Sequence, residues 1–294
     1  MANQKEIRAR IASTISTQKI TKAMKLVSAT KLRKAQEAIT RMRPYAEKLQ
    51  GMLGNLQDSV DDQKLAAYFN HKPVKNVLLV VVSSDRGLCG AFNANMFKET
   101  RSLVQGGKYH EQYGKGGVDV MTIGKKAAEL LRKIETNNIP DFQNAFQDLS
   151  ADAVFEIGDH ILAEFHKGTY DRVEVIYNKF KNAATQFPTV ETLLPVEPNG
   201  EPTDQSSNND YIFEPDKTTI LEELIPRSIK TQLYKAILDS VASEHGSRMV
   251  AMDKSTENAG ELLKSLRLQY NQARQAAITN EISEIVGGAA ALQG

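Results

Sequence analysis

Two stretches of the chain carry the hydrophobic spacing of long, paired helices. Between Met249 and Ala277, small or apolar residues recur at alternating steps of three and four: Met249, Met252, Thr256, Ala259, Leu263, Leu266, Tyr270, Ala273 and Ala277. This alternation is a heptad seam, the pattern that keeps one helical face against a partner helix. No proline interrupts it, and Gly260 is its local weak point. The helical stretch around the seam runs from Arg227 to Val286, and some sixty residues at 1.5 Å each would reach roughly 90 Å. A helix of that length needs a partner, and the best candidate is the other end of the chain. Asn3 followed by Glu6 forms a capping-box-like start. Ile7, Ile11 and Ile15 mark one face, the stripe is irregular between Thr17 and Thr30, and it becomes regular from Leu32 through Ala35, Ile39, Met42, Ala46, Leu49, Leu53 and Leu56. Pro44 falls inside that run. It removes a backbone hydrogen bond and predicts a kink, because the apolar register continues across it.

The middle of the chain has a different period. Val77–Val82 is a β-branched run suited to a buried strand, and Val118–Ile123, Arg172–Phe180 and Thr189–Leu194 read as further strands. Helices are predicted over Phe92–Val104, Lys125–Ile134 and Ala151–Phe165, with a turn-rich connection over Gly106–Gly117. Strands alternating with helices imply a largely parallel sheet. The predicted fold is therefore α/β with long helices: an antiparallel coiled coil of N-terminal (1–58) and C-terminal (217–294) helices carrying an inserted Rossmann-like α/β domain (74–197). Residues 61–74 read as a linker. Residues 198–216 read as a polar loop in which Tyr211-Ile212-Phe213 is an apolar exception.

Charge changes the picture locally. The formal net charge is only +1, yet residues 1–50 hold twelve Lys or Arg against three acids, an excess of nine positive charges. Lys19, Lys22, Lys25, Lys31, Arg33 and Lys34 could serve DNA, an anionic membrane or an acidic protein surface. Residues 1–44 contain no aromatic side chain on which a base could stack, which favours an acidic protein partner over nucleic acid. No apolar run reaches the ~18 residues of a membrane span, and nothing at the start reads as a secretory signal. The single cysteine, Cys89, precludes an intramolecular disulfide.

Candidate chemistry is sparse. The loop Ser83–Gly90 follows the first strand and offers amides near a helix start, where an anion could sit. It lacks both GxxxxGK[ST] and GxGxxG, and reads more economically as a tight turn with a capping carboxylate at Asp85. Gly124-Lys125-Lys126 is a weaker candidate still. The five histidines show no metal-ligand spacing, and no Ser-His-Asp elbow is visible. Catalytic, cofactor and metal residues are therefore expected to be none.

Several longer runs carry a specific resemblance. Ile20-Thr21-Lys22-Ala23-Met24-Lys25-Leu26-Val27-Ser28-Ala29-Thr30-Lys31-Leu32-Arg33-Lys34, Arg43-Pro44-Tyr45-Ala46 and Ser84-Asp85-Arg86-Gly87-Leu88-Cys89-Gly90 resemble the gamma subunit of F-type ATP synthase. So do Ser243–Met252 and the closing run Ala273–Ala290, in family order and at family-like length. The resemblance implies a central-stalk rotor that couples ion flow through the membrane c-ring to ATP synthesis or hydrolysis at the beta-subunit sites, turning inside an alpha/beta hexamer and hydrolysing nothing itself. The implied partners are the alpha and beta subunits, epsilon and the c-ring. By the same resemblance Met24 and Lys25 face acidic loops of beta, and Arg274 and Gln275 engage a beta loop near the top of the shaft. Tyr211, Phe213 and Glu214 match the foot segment touching the c-ring, with Phe213 where the family often has a second Tyr. The expected home is the cytoplasmic side of a bacterial inner membrane, held peripherally through the complex. A coiled-coil adaptor binding nucleic acid or anionic membrane through the basic helix is the alternative, and a nucleotide-binding enzyme ranks third.

Overall fold

The computed structural model describes residues 4–56, 68, 69, 73–134, 136–139, 142, 150–196 and 217–293. The elements in chain order are α1 (Gln4–Leu56), β1 (Val77–Val82), α2 (Phe92–Gln105), α3 (His110–Gly114), β2 (Val118–Ile123), α4 (Lys125–Leu131), β3 (Asn137–Ile139), α5 (Ala151–His166), β4 (Arg172–Phe180), β5 (Gln186–Leu194) and α6 (Lys217–Gln293). Both terminal helices are unbroken, α1 through Pro44 and α6 through Pro226. They belong to two compact units, Met1–Ser28 with Met249–Gly294 and Ala29–Arg248.

In the first unit, α1 and α6 pair antiparallel. Gln18 reaches Thr256, Thr21 meets Thr256 and Lys25 meets Asp253, so rising numbers on one helix match falling numbers on the other. Every seam position from Met249 to Ala277 is buried or half-buried, and most residues between them are exposed. On α1 the seam does not lapse between Thr17 and Thr30, as hydropathy alone suggests. It continues at heptad spacing on polar side chains, through Thr14, Gln18, Thr21, Lys25 and Ser28, each wholly or partly covered.

The second unit contains the sheet. Its strand order is β3-β2-β1-β4-β5, with β1 to β4 parallel and β5 antiparallel to β4. Valine and leucine on both faces of β1 follow from its central place, and all six residues are buried. The connection from β1 to β2 runs outward one way and that from β3 to β4 returns the other, so right-handed crossovers put α2 and α5 on opposite faces. On one face Leu79, Val81, Met96, Val104 and Leu131 form a core. Elsewhere in this unit Phe155 of α5 meets Tyr234 of α6 edge to face at 6.4 Å, and Lys230 of α6 bonds Asp159 of α5 at 2.8 Å. Arg227 of α6 lies 5.8 Å from the Tyr45 ring of α1, and Lys31 earlier on α1 acts on Glu244 and His245 later on α6, so the two helices run antiparallel here too. Strand β3 and helix α3, absent from the sequence-based expectation, have three and five residues, too few for a periodicity to register.

Leu266 and Leu268 test the seam directly, being 6% and 60% exposed two residues apart. Leu266→Ala is expected to cost about 2 kcal/mol or more, and Leu268→Ala no more than about 0.5 kcal/mol. Urea unfolding of the purified chain measures both, and equal shifts would rule out the seam assignment.

Candidate partner-contact surfaces

The paired helices of the first unit present one mixed patch. Seam positions on α1 face α6, so apolar residues off the seam must face water or a partner. Ile20, Leu26 and Val27 are 56%, 62% and 56% exposed, and Lys19 and Lys22 beside them are exposed as well. A groove of about 440 Å³ is lined by Gln18, Lys19, Lys22, Lys25, Leu26, Asp253 and Thr256. Within it Lys25 Nζ lies 2.6 Å from Asp253 Oδ1, and the Thr21 and Thr256 hydroxyls are 2.8 Å apart. Of the two residues expected here to meet a partner, Met24 is half-buried and Lys25 is held by a carboxylate of its own chain. The exposed apolar neighbours were missed by a reading centred on charge. The available signal was the Leu32–Leu56 register, which carried backward by heptads passes through Ser28, Lys25 and Thr21 and leaves Ile20 and Val27 off the seam.

Arg274 and Gln275 lie on the same unit, and their side chains are exposed. Twenty-one residues separate Arg274 from Asp253, roughly 30 Å along a helix, so the two expected contact pairs form separate zones. The seam ends at Ala277, and residues 278–289 are exposed throughout, including Ile278, Ile282, Ile285 and Val286. Tyr211, Phe213 and Glu214 lie outside the described residues. No group of His, Cys, Asp and Glu suited to a metal ion, and no helix long and apolar enough to cross a membrane, occurs among the described residues.

The loop after β1 lies at the topological switch point of the sheet, where doubly wound folds bind ligands. Here its polar groups are engaged by the chain itself. The first three amides of α4, an obvious anion cradle, are taken in order: Lys125 N by Asp85 Oδ1 at 3.2 Å, Lys126 N by Ser84 O at 3.0 Å, and Ala127 N by Ser83 Oγ at 2.8 Å. Asp85 is thus the capping carboxylate that its position implies. Gly124, at φ +99°, is required for this closure, because a β-carbon there would lie 2.3 Å from Ser83 O. From the other side Arg248 of α6 donates to the carbonyls of Arg86 at 2.9 Å and Gly87 at 3.4 Å. Its other terminal nitrogen bonds Glu244 Oε1 at 2.5 Å, one helical turn away. Two of the quoted motifs, Ser84–Gly90 and Ser243–Met252, thereby meet.

The electrostatics of this junction are those of buried groups. Burial pushes the Glu244 carboxyl up, and the Arg248 guanidinium draws it back. His245 is pushed down to about 4, first by burial and then by the charges of Arg248 and Lys31. Its Nδ1, 3.4 Å from Arg248 Nη1, is therefore placed to accept from the guanidinium.

A family model described as ATP synthase matches residues 3–292. An ATP synthase gamma chain of Cytophaga hutchinsonii is 51% identical over 294 residues, covering 99% of both chains. The chain belongs to the ATP synthase gamma-chain family. A second relative, the ATP synthase gamma chain of Flavobacterium johnsoniae, is 53% identical over 295 residues with both chains fully covered. Among solved structures, a chain of the Euglena gracilis mitochondrial ATP synthase OSCP/F1/c-ring assembly matches with a TM-score of 0.67 at 21% identity, covering 98% of this chain and 94% of that one. A chain of the Tetrahymena thermophila mitochondrial central stalk and c-ring gives 0.57 at 23%, covering 80% and 98%. At such identities the likeness is one of fold.

Arg248→Met is expected to lower stability by about 3–5 kcal/mol, because it leaves Glu244 buried without its cation. Adding Glu244→Gln should restore part of the loss, and a double-mutant cycle by urea unfolding reads the coupling. His245 sets a pH dependence. Its folded value lies below the ordinary 6.5, so the stability of keeping it neutral is full above pH 6.5 and is lost as pH falls toward 4. The stability difference between the native chain and His245→Gln should therefore change across that window and stay constant above it, as thermal unfolding at stepped pH would show.

Proposed function

We propose that this chain is the central rotor shaft of an ATP synthase, turning inside a ring of alpha and beta subunits and standing on a membrane c-ring. The observation that carries the proposal is identity above 50% with gamma chains over the full length. The geometry supports it. Torque needs stiffness between loaded ends, and two helices sharing a seam resist bending and twisting better than one. The patch of Ile20, Leu26 and Val27 among Lys19, Lys22 and Lys25 suits a partner surface that is both apolar and acidic. Screening within about 8–10 Å keeps such ionic contacts local, so each acidic loop of beta is felt only while it faces Met24 and Lys25. Arg274 and Gln275, exposed farther along α6, serve a second beta contact. Tyr211, Phe213 and Glu214 contribute the c-ring contact, with epsilon joining the stalk.

In this reading the chain performs no catalysis. It switches the nucleotide sites of beta by presenting a different face to each in turn, and it stays on the cytoplasmic face of a bacterial inner membrane through its partners. Gel filtration of the purified chain with alpha and beta subunits should give one stable complex with ATPase activity. Binding to duplex DNA or to anionic phospholipid vesicles, with no such assembly, would overturn the proposal in favour of an adaptor.

A further inference from the structure

Each terminal helix contains a single interior proline, Pro44 among the 53 residues of α1 and Pro226 among the 77 of α6. No residue is less suited to a helix interior. A proline has no N–H to donate, so the carbonyls four residues earlier, of Thr40 and Glu222, lose their helical partners. The Thr40 hydroxyl adds to the effect by donating to Gln36 O at 2.9 Å, a back-bond that bends helices. In a pair of helices, one such defect is splinted by the intact neighbour. Here the two defects lie at one height. Tyr45 directly follows Pro44, Arg227 directly follows Pro226, and the Arg227 guanidinium carbon lies 5.8 Å from the centre of the Tyr45 ring. Neither helix splints the other at this level.

The surroundings differ on the two sides of it. Within about two turns on the C-terminal side, α6 is fastened to α5: Lys230 Nζ bonds Asp159 Oδ1 at 2.8 Å, and Tyr234 meets Phe155 edge to face. The Lys230 stem passes so close over Gly158 that a β-carbon there would lie 2.5 Å from it. At the level of the prolines the link across is a cation over a ring, which has no directional hydrogen bond to break on tilting. Arg41, Arg43, Pro44, Tyr45 and Lys48 of α1 are exposed there. Beyond the prolines Leu49, Leu221 and Ile225 are buried, so the helix ends stay packed.

We infer that the Pro44–Pro226 level is a bending joint, about which the helix ends 45–56 and 217–225 tilt together against the rest of their unit. Its use rests on the rotor reading given above. The end nearest the c-ring can lean with that ring while the shaft turns, as a flexible coupling joins two axes out of line. Torque still passes, because twisting would shear the buried side chains of Ile39 and Leu49 on one helix and Ile225 and Ile229 on the other.

Replacing both prolines by alanine removes the joint and favours folding, since alanine is the best helix former and supplies the missing donors. Spin labels at Arg33→Cys and Met52→Cys, both exposed positions, straddle Pro44 at a separation of roughly 28 Å along the helix. Native Cys89 is 2% exposed and does not compete for label. Pulsed dipolar electron spin resonance on the full-length chain should give a broad distance distribution that narrows in the double variant. Pro226→Ala alone should also narrow it, although Pro44 remains between the labels, because α6 then acts as the splint. In the whole complex reconstituted in vesicles, ion-driven ATP synthesis should fall in the double variant, while its ATPase activity with alpha and beta subunits alone stays at the native level. A native distribution as narrow as the double variant's would overturn the joint, and so would one that Pro226→Ala leaves unchanged. Undiminished synthesis beside a narrowed distribution would overturn its use. If the native chain does not assemble with alpha and beta, the rotor reading falls, whereas the distances in the isolated chain still decide the joint.

Discussion

The constraint on which this structure depends is that neither terminal helix can cover its own apolar face. A lone helix with a heptad stripe leaves that stripe in water, and helical propensity alone does not offset the exposure. The chain meets the constraint by returning its C-terminal helix antiparallel along its N-terminal one. The first unit holds only these two helices, so their seam is its whole core. In the second, the same two helices share their unit with a five-stranded sheet, and α6 becomes buried on most of its faces between Ala236 and Glu244. The burial pattern of α6 thus records its surroundings: nearly continuous beside the sheet, and one residue in three or four where only α1 remains.

Much of this was legible from hydropathy. The seam from Met249 to Ala277 was readable position by position because leucine, methionine and alanine mark it. Strands β1, β2 and β4 were readable because β-branched runs of six to nine residues have few other uses. The α1 seam between Thr17 and Thr30 was hidden because Gln18, Thr21, Lys25 and Ser28 occupy it, and covered polar residues look like surface to a hydropathy reading. Their burial becomes intelligible only with Thr256 and Asp253 opposite them, more than two hundred residues away in the chain. The candidate site divides in the same way. Charge singled out the basic run, and the family motifs singled out Met24, Lys25, Arg274 and Gln275. Neither revealed that Lys25 already has a carboxylate partner, or that Ile20, Leu26 and Val27 supply most of the apolar surface around it.

The sheet carries a related lesson about fold and function. Its strand order creates the switch-point crevice that nucleotide-binding proteins exploit, and its first loop even contains glycines. The difference lies in what fills the crevice. Three amides that could have gripped a phosphate cap a helix with the chain's own oxygens, and an arginine from α6 occupies the carbonyls opposite. A binding fold has become a mounting: the loop that elsewhere holds a ligand here fastens the sheet to the middle of a long helix.

The facing hydroxyls of Thr21 and Thr256 bear on how such a pair of helices is aligned lengthwise. A purely leucine seam tolerates sliding by a heptad, because one leucine serves as well as another. Sliding α6 by seven residues would bring Leu263 or Met249 to the place of Thr256, confronting the Thr21 hydroxyl with a hydrocarbon and stripping Lys25 of Asp253. Each wrong alignment therefore loses a hydrogen bond and an ion pair at once. The polar side chains act as a notch that admits one setting, and every height along the shaft, from Lys25 to Arg274, is measured from it.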